Sequence, residues 1–170
     1  VSFVDIAGIV KGASEGEGLG NKFLANIREA DAICQVTRAF SDPDVTRVPG
    51  SETPAGDMET ISTELILADL QTIDNALPRL EKDTKRKVID AAVLPEVLKA
   101  KELLEGGKTI FQGADGAGID VSLLKELQLM TAKPFIYVFN TDEEGLADKA
   151  MQEELRKAVA PAEAIFLDAK

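Results

Sequence analysis

The sequence predicts an α/β protein in which a parallel sheet carries helices on both faces and an antiparallel helical hairpin is inserted. Short apolar runs alternate with amphipathic segments along the chain, and two longer central segments repeat their apolar residues at helical spacing. The 170 residues, 45% of them apolar, suffice for one compact domain. Strands are expected near 1–5, 32–38, 134–139 and 163–167, and the shorter helices near 20–29, 120–129 and 147–159.

The hairpin is predicted from apolar residues that recur every three or four positions on both sides of residue 85. This near-heptad spacing is typical of two helices that pair as a coiled coil. We expect helices over 57–84 and 87–105, with Pro78 and Pro95 bending or loosening them and Gly106-Gly107 ending the second. The repeating residues are Ile66, Leu70, Ile73, Leu77 and Leu80, followed by Val93, Val97, Ala100 and Leu104.

The helix caps and the connecting loops are predicted from polar and glycine-rich sequence. Asp120 is expected to cap the helix near 120–129, and Asp148 lies at the start of the helix near 147–159. The stretches 41–56 and 106–119, rich in Gly, Pro and Asp, are expected to be loops that lead into and out of the hairpin.

A strand that ends in an aspartate and is followed by glycines is the most informative local pattern. Asp5 ends the first predicted strand, Gly8 follows it, and further glycines stand at positions 12, 16, 18 and 20. Such a carboxylate can hold a magnesium-bound water, and glycine lets a backbone N–H approach a terminal phosphate. Taken alone, however, the four residues from Asp5 to Gly8 fit an ordinary strand and flexible loop better than a nucleotide switch.

The longer run and three further blocks resemble the Obg-like ATPase family, also called YchF, whose members are P-loop NTPases of the translation-factor class. The resemblance implies that Asp5 holds the shell of a Mg²⁺ cofactor through water and that Gly8 senses the terminal phosphate. Arg47 departs from the histidine expected there. The blocks are VDIAGIV with GEGLGNKFL, IREADAI, STELILADL and AKPFIYVFN.

The family's phosphate-binding loop is absent from this sequence. No Gly-x-x-x-x-Gly-Lys-Ser/Thr spacing occurs, and the chain begins at Val1. We therefore expect an internal piece of a longer protein, an incomplete P-loop NTPase sheet without the first switch or the family's TGS domain. In the resembling fold, the strand before the phosphate loop lies between the strands at 1–5 and 32–38. We expect another segment, another chain or a rearrangement to fill that place.

A second motif, Asn140-Thr141-Asp142-Glu143, follows the strand near 134–139. Taken alone, it fits a polar turn. GTPases usually carry Asn-Lys-x-Asp here, and the aspartate accepts both hydrogen bonds from the guanine edge. Glu143 stands at that position, and a longer carboxylate misplaces the paired acceptors. The resembling family is noted for this variant and for favouring ATP, so we expect Asn140, Thr141 and Glu143 to meet the base, with Ala169 and Lys170 completing the pocket.

The residue after Gly8 bears on the rate of hydrolysis. Many GTPases place a glutamine there to orient the attacking water, whereas this chain has Ile9, which can neither donate nor accept a hydrogen bond. We expect slow intrinsic hydrolysis. The water could be oriented by the backbone, another side chain, a monovalent cation or a partner.

Composition excludes several classes of function. Histidine is absent, which excludes a Ser-His-Asp triad and histidine metal ligands. The only cysteine, Cys34, permits no disulfide framework and favours a reducing, cytoplasmic setting. No apolar run is long enough to cross a bilayer, so no membrane partner is expected.

The net charge of −11 argues against a general nucleic-acid coat, yet one basic segment stands out. Its residues lie at the predicted tip of the hairpin, where they fit either a solvated turn or a contact with ribosomal RNA. Ribosome binding is what the resemblance implies. The oligomeric state stays open. The basic residues are Lys82, Lys85, Arg86 and Lys87.

The leading hypothesis is a ribosome-associated NTPase switch that binds ATP, and GTP more weakly, and hydrolyses it slowly with magnesium. The rival hypotheses are a GTP-specific GTPase and, for this piece alone, a non-catalytic ribosome-binding or partner-binding module. The predicted division is a partial nucleotide-binding domain at 1–56 and 106–170, with the hairpin at 57–105. The piece alone is expected to be inactive.

Overall fold

The structure is a computed structural model that describes residues 1–6, 19–39 and 53–169. Helices alternate with three strands, which confirms the predicted α/β class. The chain divides into two compact units, one of residues 1–30 and 62–133 and one of residues 31–61 and 134–170. The elements are α1 (Leu19–Glu29), β1 (Ile33–Arg38), α2 (Pro54–Lys85), α3 (Val93–Glu105), α4 (Ile110–Ala117), β2 (Phe135–Asn140), α5 (Glu143–Ala147), α6 (Lys149–Val159) and β3 (Glu163–Leu167).

The three strands form a parallel sheet in the order β1-β2-β3. Val138 in β2 lies opposite Val36 in β1 and Ile165 in β3. Strands rich in β-branched and aromatic residues were predicted in these three places, and the structure confirms them. Because the strands are parallel, their carboxyl ends meet at one edge of the sheet.

The two faces of the sheet differ. On one face the rings of Phe139 and Phe166 stack with centroids 5.1 Å apart, and Arg156 of α6 lies 4.9 Å above Phe166 and donates to the Ala164 carbonyl. The other face is apolar and exposed. Val36 at its centre is 67% exposed. Cys34, Ile136, Ile165 and Leu167 are also exposed on that face.

The strand predicted near 1–5 does not form. Residues 1–6 have no regular secondary structure, and Val1, Phe3 and Val4 are exposed. A strand needs a neighbour for its backbone N–H and C=O groups, and among the described residues β1 pairs with β2 alone. The expected gap beside β1 stays a prediction, as does what fills that place.

The hairpin is formed by α2 and α3. Asp74 and Lys101 pair across the two helices at 2.7 Å while a short turn joins their near ends, so the helices run antiparallel. Pro78 lies inside α2, which continues through it. The α3 helix begins at Val93 rather than near 87, because residues 86–92 form the turn. That start places Pro95 in the first helical turn, where proline is tolerated.

The segment after the hairpin is not a loop, so the prediction for 106–119 is wrong. The α4 helix forms there because Thr109 Oγ1 accepts a hydrogen bond from the Gln112 N–H and Gly118 ends it in the left-handed conformation. Gly113 lets the Leu103 side chain approach, since a Cβ there would lie 2.6 Å from it. The composition that indicated a loop therefore serves close packing of helices.

An apolar core joins this segment to the hairpin. Its buried residues come from both helices and from the chain that follows them. They are Ile66, Ile73, Leu80, Val97, Ala100, Leu104, Ile110, Ala114, Ile119, Leu124 and Leu129.

The region near 120–129 is 3₁₀ helix over Val121–Leu127, and a second 3₁₀ turn covers Met130–Ala132. The predicted cap is confirmed, since Asp120 Oδ1 accepts from the Ser122 N–H at 3.0 Å. Glu96 of α3 accepts the Asp120 N–H at 2.8 Å, and its bonds from Lys99 and from that N–H lower its carboxyl pKa. These bonds hold the start of the 3₁₀ segment against α3.

Asp148, which the sequence placed at the start of the last helix, also acts as a cap. Asp148 Oδ1 accepts from the Met151 N–H at 2.9 Å at the start of α6. The predicted loop at 41–56 lies mostly outside the described residues, and its last residues from Pro54 already belong to α2.

Candidate functional site

Two loops meet at the carboxyl edge of the sheet. Asn140 ends β2, and its Oδ1 accepts a hydrogen bond from the Ala169 N–H at 3.2 Å, just beyond β3. The Thr141 N–H donates to the Leu167 carbonyl at 2.9 Å. The predicted motif and the loop expected to complete its pocket are thus in direct contact. In open α/β sheets, ligands bind outside this edge.

The two acidic residues of the motif take different positions. Asp142 caps α5, since its Oδ1 accepts from the Gly145 N–H at 2.9 Å. Glu143 is the first residue of that helix, and its side chain is exposed. The Asp142 carboxylate is therefore used by the helix cap, while the carboxylate of Glu143 faces solvent at the carboxyl edge of the sheet. Its contact with a base stays a prediction.

Thr141 lies inward rather than at an open surface. It is 1% exposed, and its Oγ1 has no hydrogen-bond partner. A Cβ on Gly145 would lie 1.9 Å from that Oγ1, so the two residues are in close contact. The Thr141 side chain packs under α5, and its predicted contact with the base also stays a prediction.

Of the residues predicted to act on the phosphates, the structure describes Asp5 alone. Its side chain is exposed in the irregular segment 1–6. Gly8, Ile9 and the glycines that follow lie outside the described residues, as does Lys170. The switch itself therefore remains a prediction from the sequence.

The chemistry of Asp5 fits a magnesium ligand. Mg²⁺ prefers oxygen donors and is usually held by one or two carboxylates together with waters and substrate phosphates. Across the described ranges, no three acidic, cysteine or histidine side chains come together as a metal site. Asp5 is a single exposed oxygen donor, which suits an ion bound mainly by a nucleotide rather than by a protein cage.

The basic residues at the hairpin tip are all exposed. Lys82 and Lys85 lie in the last turn of α2, where cations are favoured by the helix dipole. Lys87 adopts a positive φ of 57° and its N–H donates to the Thr84 carbonyl, which closes the turn. Beside it, Val88 is 68% exposed. The tip, residues 82–88, thus carries four exposed cations and one exposed apolar side chain.

Sequence reasoning missed one buried carboxylate. Asp69 lies in α2 and is 1% exposed, and its two oxygens accept from the Met130 and Thr131 N–H groups at 3.0 and 2.7 Å. Burial raises the pKa of this carboxyl, and the two backbone bonds oppose the rise. The available signal was an aspartate within the apolar run Ile66 to Leu70. A buried charge there requires partners, which the sequence could not identify.

Within the described part of the chain, no helix combines the length and apolar character needed to span a membrane.

The comparisons with known proteins decide the family. The chain is 48% identical over 156 residues to the ribosome-binding ATPase YchF of Bacillus subtilis, and that match covers 91% of the chain and 42% of the relative. It is 40% identical to the protein of the same name from Escherichia coli O157:H7 over 94% of the chain and 44% of the relative. The chain belongs to the YchF family.

Plant and yeast proteins extend this assignment. Obg-like ATPase 1 of Oryza sativa subsp. indica is 45% identical over 82% of the chain and 36% of the relative. The solved YchF GTPase of Schizosaccharomyces pombe superposes with a TM-score of 0.68 at 29% identity, covering 94% of this chain and 45% of that one. No protein-family model matches. The chain spans less than half the length of these YchF relatives.

Proposed function

We propose that this chain is part of a longer cytoplasmic YchF-family protein that binds ATP, and GTP more weakly, with Mg²⁺, hydrolyses it slowly, and uses its nucleotide state to regulate binding to the ribosome. The curated relatives carry the words ATPase and ribosome-binding in their names. The 170 residues alone, without a phosphate-binding loop, are expected to be inactive.

The observation that carries this proposal is the arrangement at the carboxyl edge of the sheet. The Asn140 side chain is fixed by the Ala169 N–H, and the exposed carboxylate of Glu143 starts the next helix. A base bound at this edge would meet Asn140 and Glu143 from the motif, and Ala169 and Lys170 from the second loop. Glu143 reaches further than the aspartate of a guanine site, which disfavours the paired acceptance that guanine needs.

The phosphate side of the site is proposed from the sequence. Asp5 would hold the magnesium shell through water, and Gly8 would approach the terminal phosphate. Magnesium would neutralise charge that develops on the phosphates. Ile9 offers no hydrogen bond to the attacking water, which supports slow hydrolysis in the absence of a partner.

The hairpin would contact the ribosome. Its tip concentrates four exposed cations, whereas the whole chain has a net charge of −11. Ribosomal RNA presents closely spaced phosphates, to which a small cationic surface can bind without a positively charged body. In this proposal, the hairpin at 57–105 is the partner-binding arm, and residues 1–56 and 106–170 belong to the nucleotide-binding domain.

The test is equilibrium competition between ATP and GTP, with magnesium, on the full-length protein. We expect the wild type to prefer ATP. Glu143→Asp should shift the ratio of the two dissociation constants toward GTP by about tenfold or more, because the shorter carboxylate restores the paired geometry. Glu144→Asp, the same change at the next exposed residue of α5, is the matched control and should leave the ratio unchanged.

Two results would contradict the proposal. A wild-type protein that clearly prefers GTP would make it an ordinary GTPase, and a protein that binds neither nucleotide would remove the switch altogether. If Glu143→Asp and Glu144→Asp have the same effect on the ratio of the two dissociation constants, Glu143 does not determine which base is bound.

A further inference from the structure

The buried carboxylate of Asp69 fixes one backbone turn to the hairpin helix α2. Both of its oxygens are used, one by the Met130 N–H and one by the Thr131 N–H, at the start of the 3₁₀ turn Met130–Ala132. Bonds from backbone N–H groups to a charged acceptor are short and strong. The turn is therefore held to α2 by direct bonds as well as by packing.

A second set of bonds holds the same segment to α1. Lys133, next to that turn, donates from Nζ to the carbonyls of Arg28 and Ala30, at 2.8 Å for the first. These are carbonyls at the carboxyl end of α1, which lack partners within the helix. Lys133 thus caps α1 from the segment that precedes β2.

A further hydrogen bond links α1 directly to α2. Arg28 of α1 donates from Nη2 to Thr72 Oγ1 at 3.0 Å, and Thr72 lies one helical turn after Asp69 on α2. The Thr72 hydroxyl in turn donates to the Ala68 carbonyl at 3.0 Å. We call Asp69, the 130–133 segment, Arg28 and Thr72 the clamp. All of its members lie in the first compact unit.

The three segments that the clamp joins each lead along the chain to a different part of the proposed functional site. The α1 helix follows the glycine run directly, α2 continues to the basic tip, and Lys133 is followed by Pro134 and β2, which ends at Asn140. The three segments tied together therefore lead to the three places that the proposed function assigns to the phosphates, the ribosome and the base. A displacement of any one of them strains bonds to the other two.

We propose that Asp69 is a positioning residue that couples nucleotide binding to ribosome binding, by tying hairpin helix α2 to the segment leading into β2 and, through Lys133 and Arg28, to α1. This inference rests on the proposed function. Asp69 touches neither ligand. Its removal should weaken the dependence of one binding event on the other more than it weakens either event alone.

The experiment measures ribosome binding by the full-length protein with and without saturating ATP, and the ratio of the two dissociation constants is the coupling ratio. In Asp69→Asn, the amide can accept from one of the two N–H groups but must turn its own N–H₂ toward the other. In the wild type, we expect ATP to change the ribosome dissociation constant by about fivefold or more, in either direction. In Asp69→Asn, we expect ATP to change it by no more than about twofold. The variant's affinity for ATP alone should stay within about threefold of the wild type.

The matched control is Asp74→Asn, the same change five residues further along α2. Asp74 is exposed, bonds Lys101 of α3 and takes no part in the clamp. It should keep the wild-type coupling ratio. Hydrogen exchange offers a second readout, since the Met130 and Thr131 amides should exchange faster in Asp69→Asn alone.

The outcomes separate this inference from the proposed function. If the wild type binds neither ATP nor ribosomes, the proposed function fails. If it binds both but ATP does not change its affinity for ribosomes, the regulatory part of the proposed function fails together with this inference. If the wild type shows coupling and Asp69→Asn keeps the coupling ratio, this inference alone is overturned. If Asp69→Asn fails to fold, the coupling ratio is measured on Thr72→Val instead. That substitution removes the acceptor of Arg28 at a half-buried site, and an unchanged ratio in that variant overturns the inference.

Discussion

Neighbouring residues of one chemical type take different tasks in this chain. Asp142 and Glu143 both carry carboxylates, yet the shorter side chain folds back to cap α5 and the longer one extends into solvent. An aspartate oxygen is well placed to accept from the N–H groups of a first helical turn. The proposed specificity for adenine therefore depends on a residue that local structure leaves unoccupied.

Gly145 provides a test at this scale, because its missing side chain makes room for Thr141. In Gly145→Ala the new Cβ would lie 1.9 Å from Thr141 Oγ1, so one of the two must move. We expect a loss of about 1–3 kcal/mol in the free energy of unfolding, measured by urea denaturation. In a Thr141→Ala background, the same change should cost clearly less, since the clashing hydroxyl is gone. Equal costs in both backgrounds would show that the contact does not explain the glycine.

The hairpin shows how an element combines a structural and a surface role. Its apolar stripe is covered by the partner helix and by the chain at 110–129, while its tip carries four exposed cations and one exposed valine. Cations at the carboxyl end of α2 also suit the helix dipole. The tip can therefore be altered without disturbing the core of the first unit.

This separation allows a sharp test of ribosome binding by the full-length protein. Replacing Lys82, Lys85 and Lys87 with alanine should weaken binding and lower the slope of log affinity against log salt by about 1 for each phosphate that is no longer bound. Binding is measured at several salt concentrations. Replacing Lys108, Lys125 and Lys149, which are exposed and lie outside residues 82–88, removes the same charge and should leave the slope unchanged. Equal effects of the two triple variants would point to net charge rather than the tip.

At the scale of the whole molecule, one face of the parallel sheet is exposed and apolar. Parallel sheets occur almost only with both faces covered, and β1 also presents an open edge among the described residues. The YchF relatives are more than twice as long as their matched segments. We therefore expect the rest of a longer family member to cover this face.

Cys34 reports directly on that expectation. It is the only cysteine of the chain and is exposed on the apolar face. In the native 170-residue chain, its thiol should react with an aromatic disulfide reagent at about the rate of the unfolded chain. In the full-length protein, the same thiol should react at least about tenfold more slowly. The Cys34→Ser variant of the full-length protein gives the background from other thiols, and similar rates in the two proteins would show that the face stays open.

The sequence alone determined those features that depend on local chemistry. Periodicity located the long helices and the strands β1 to β3, Asp120 was predicted as a cap, and Asp148 was placed at the start of the helix that it caps. The motif blocks indicated the family, because several separate blocks in one order are specific. Asn140 and Glu143 were predicted as site residues because their motif resembles the family's base-contacting motif, and their contact with a base stays a prediction.

The tertiary structure decided what depends on neighbours distant in sequence. Residues 1–5 have the pattern of a strand, but a strand forms only beside a partner. The glycines after residue 106 looked like a loop, yet Gly113 serves the close packing of α4 on α3. The partners of Asp69 lie 61 and 62 residues away, and only folding shows that its buried charge is satisfied by a backbone turn. Pattern in the sequence specifies which structure a segment prefers, whereas burial and long-range bonds decide whether it is adopted and what each polar group contacts.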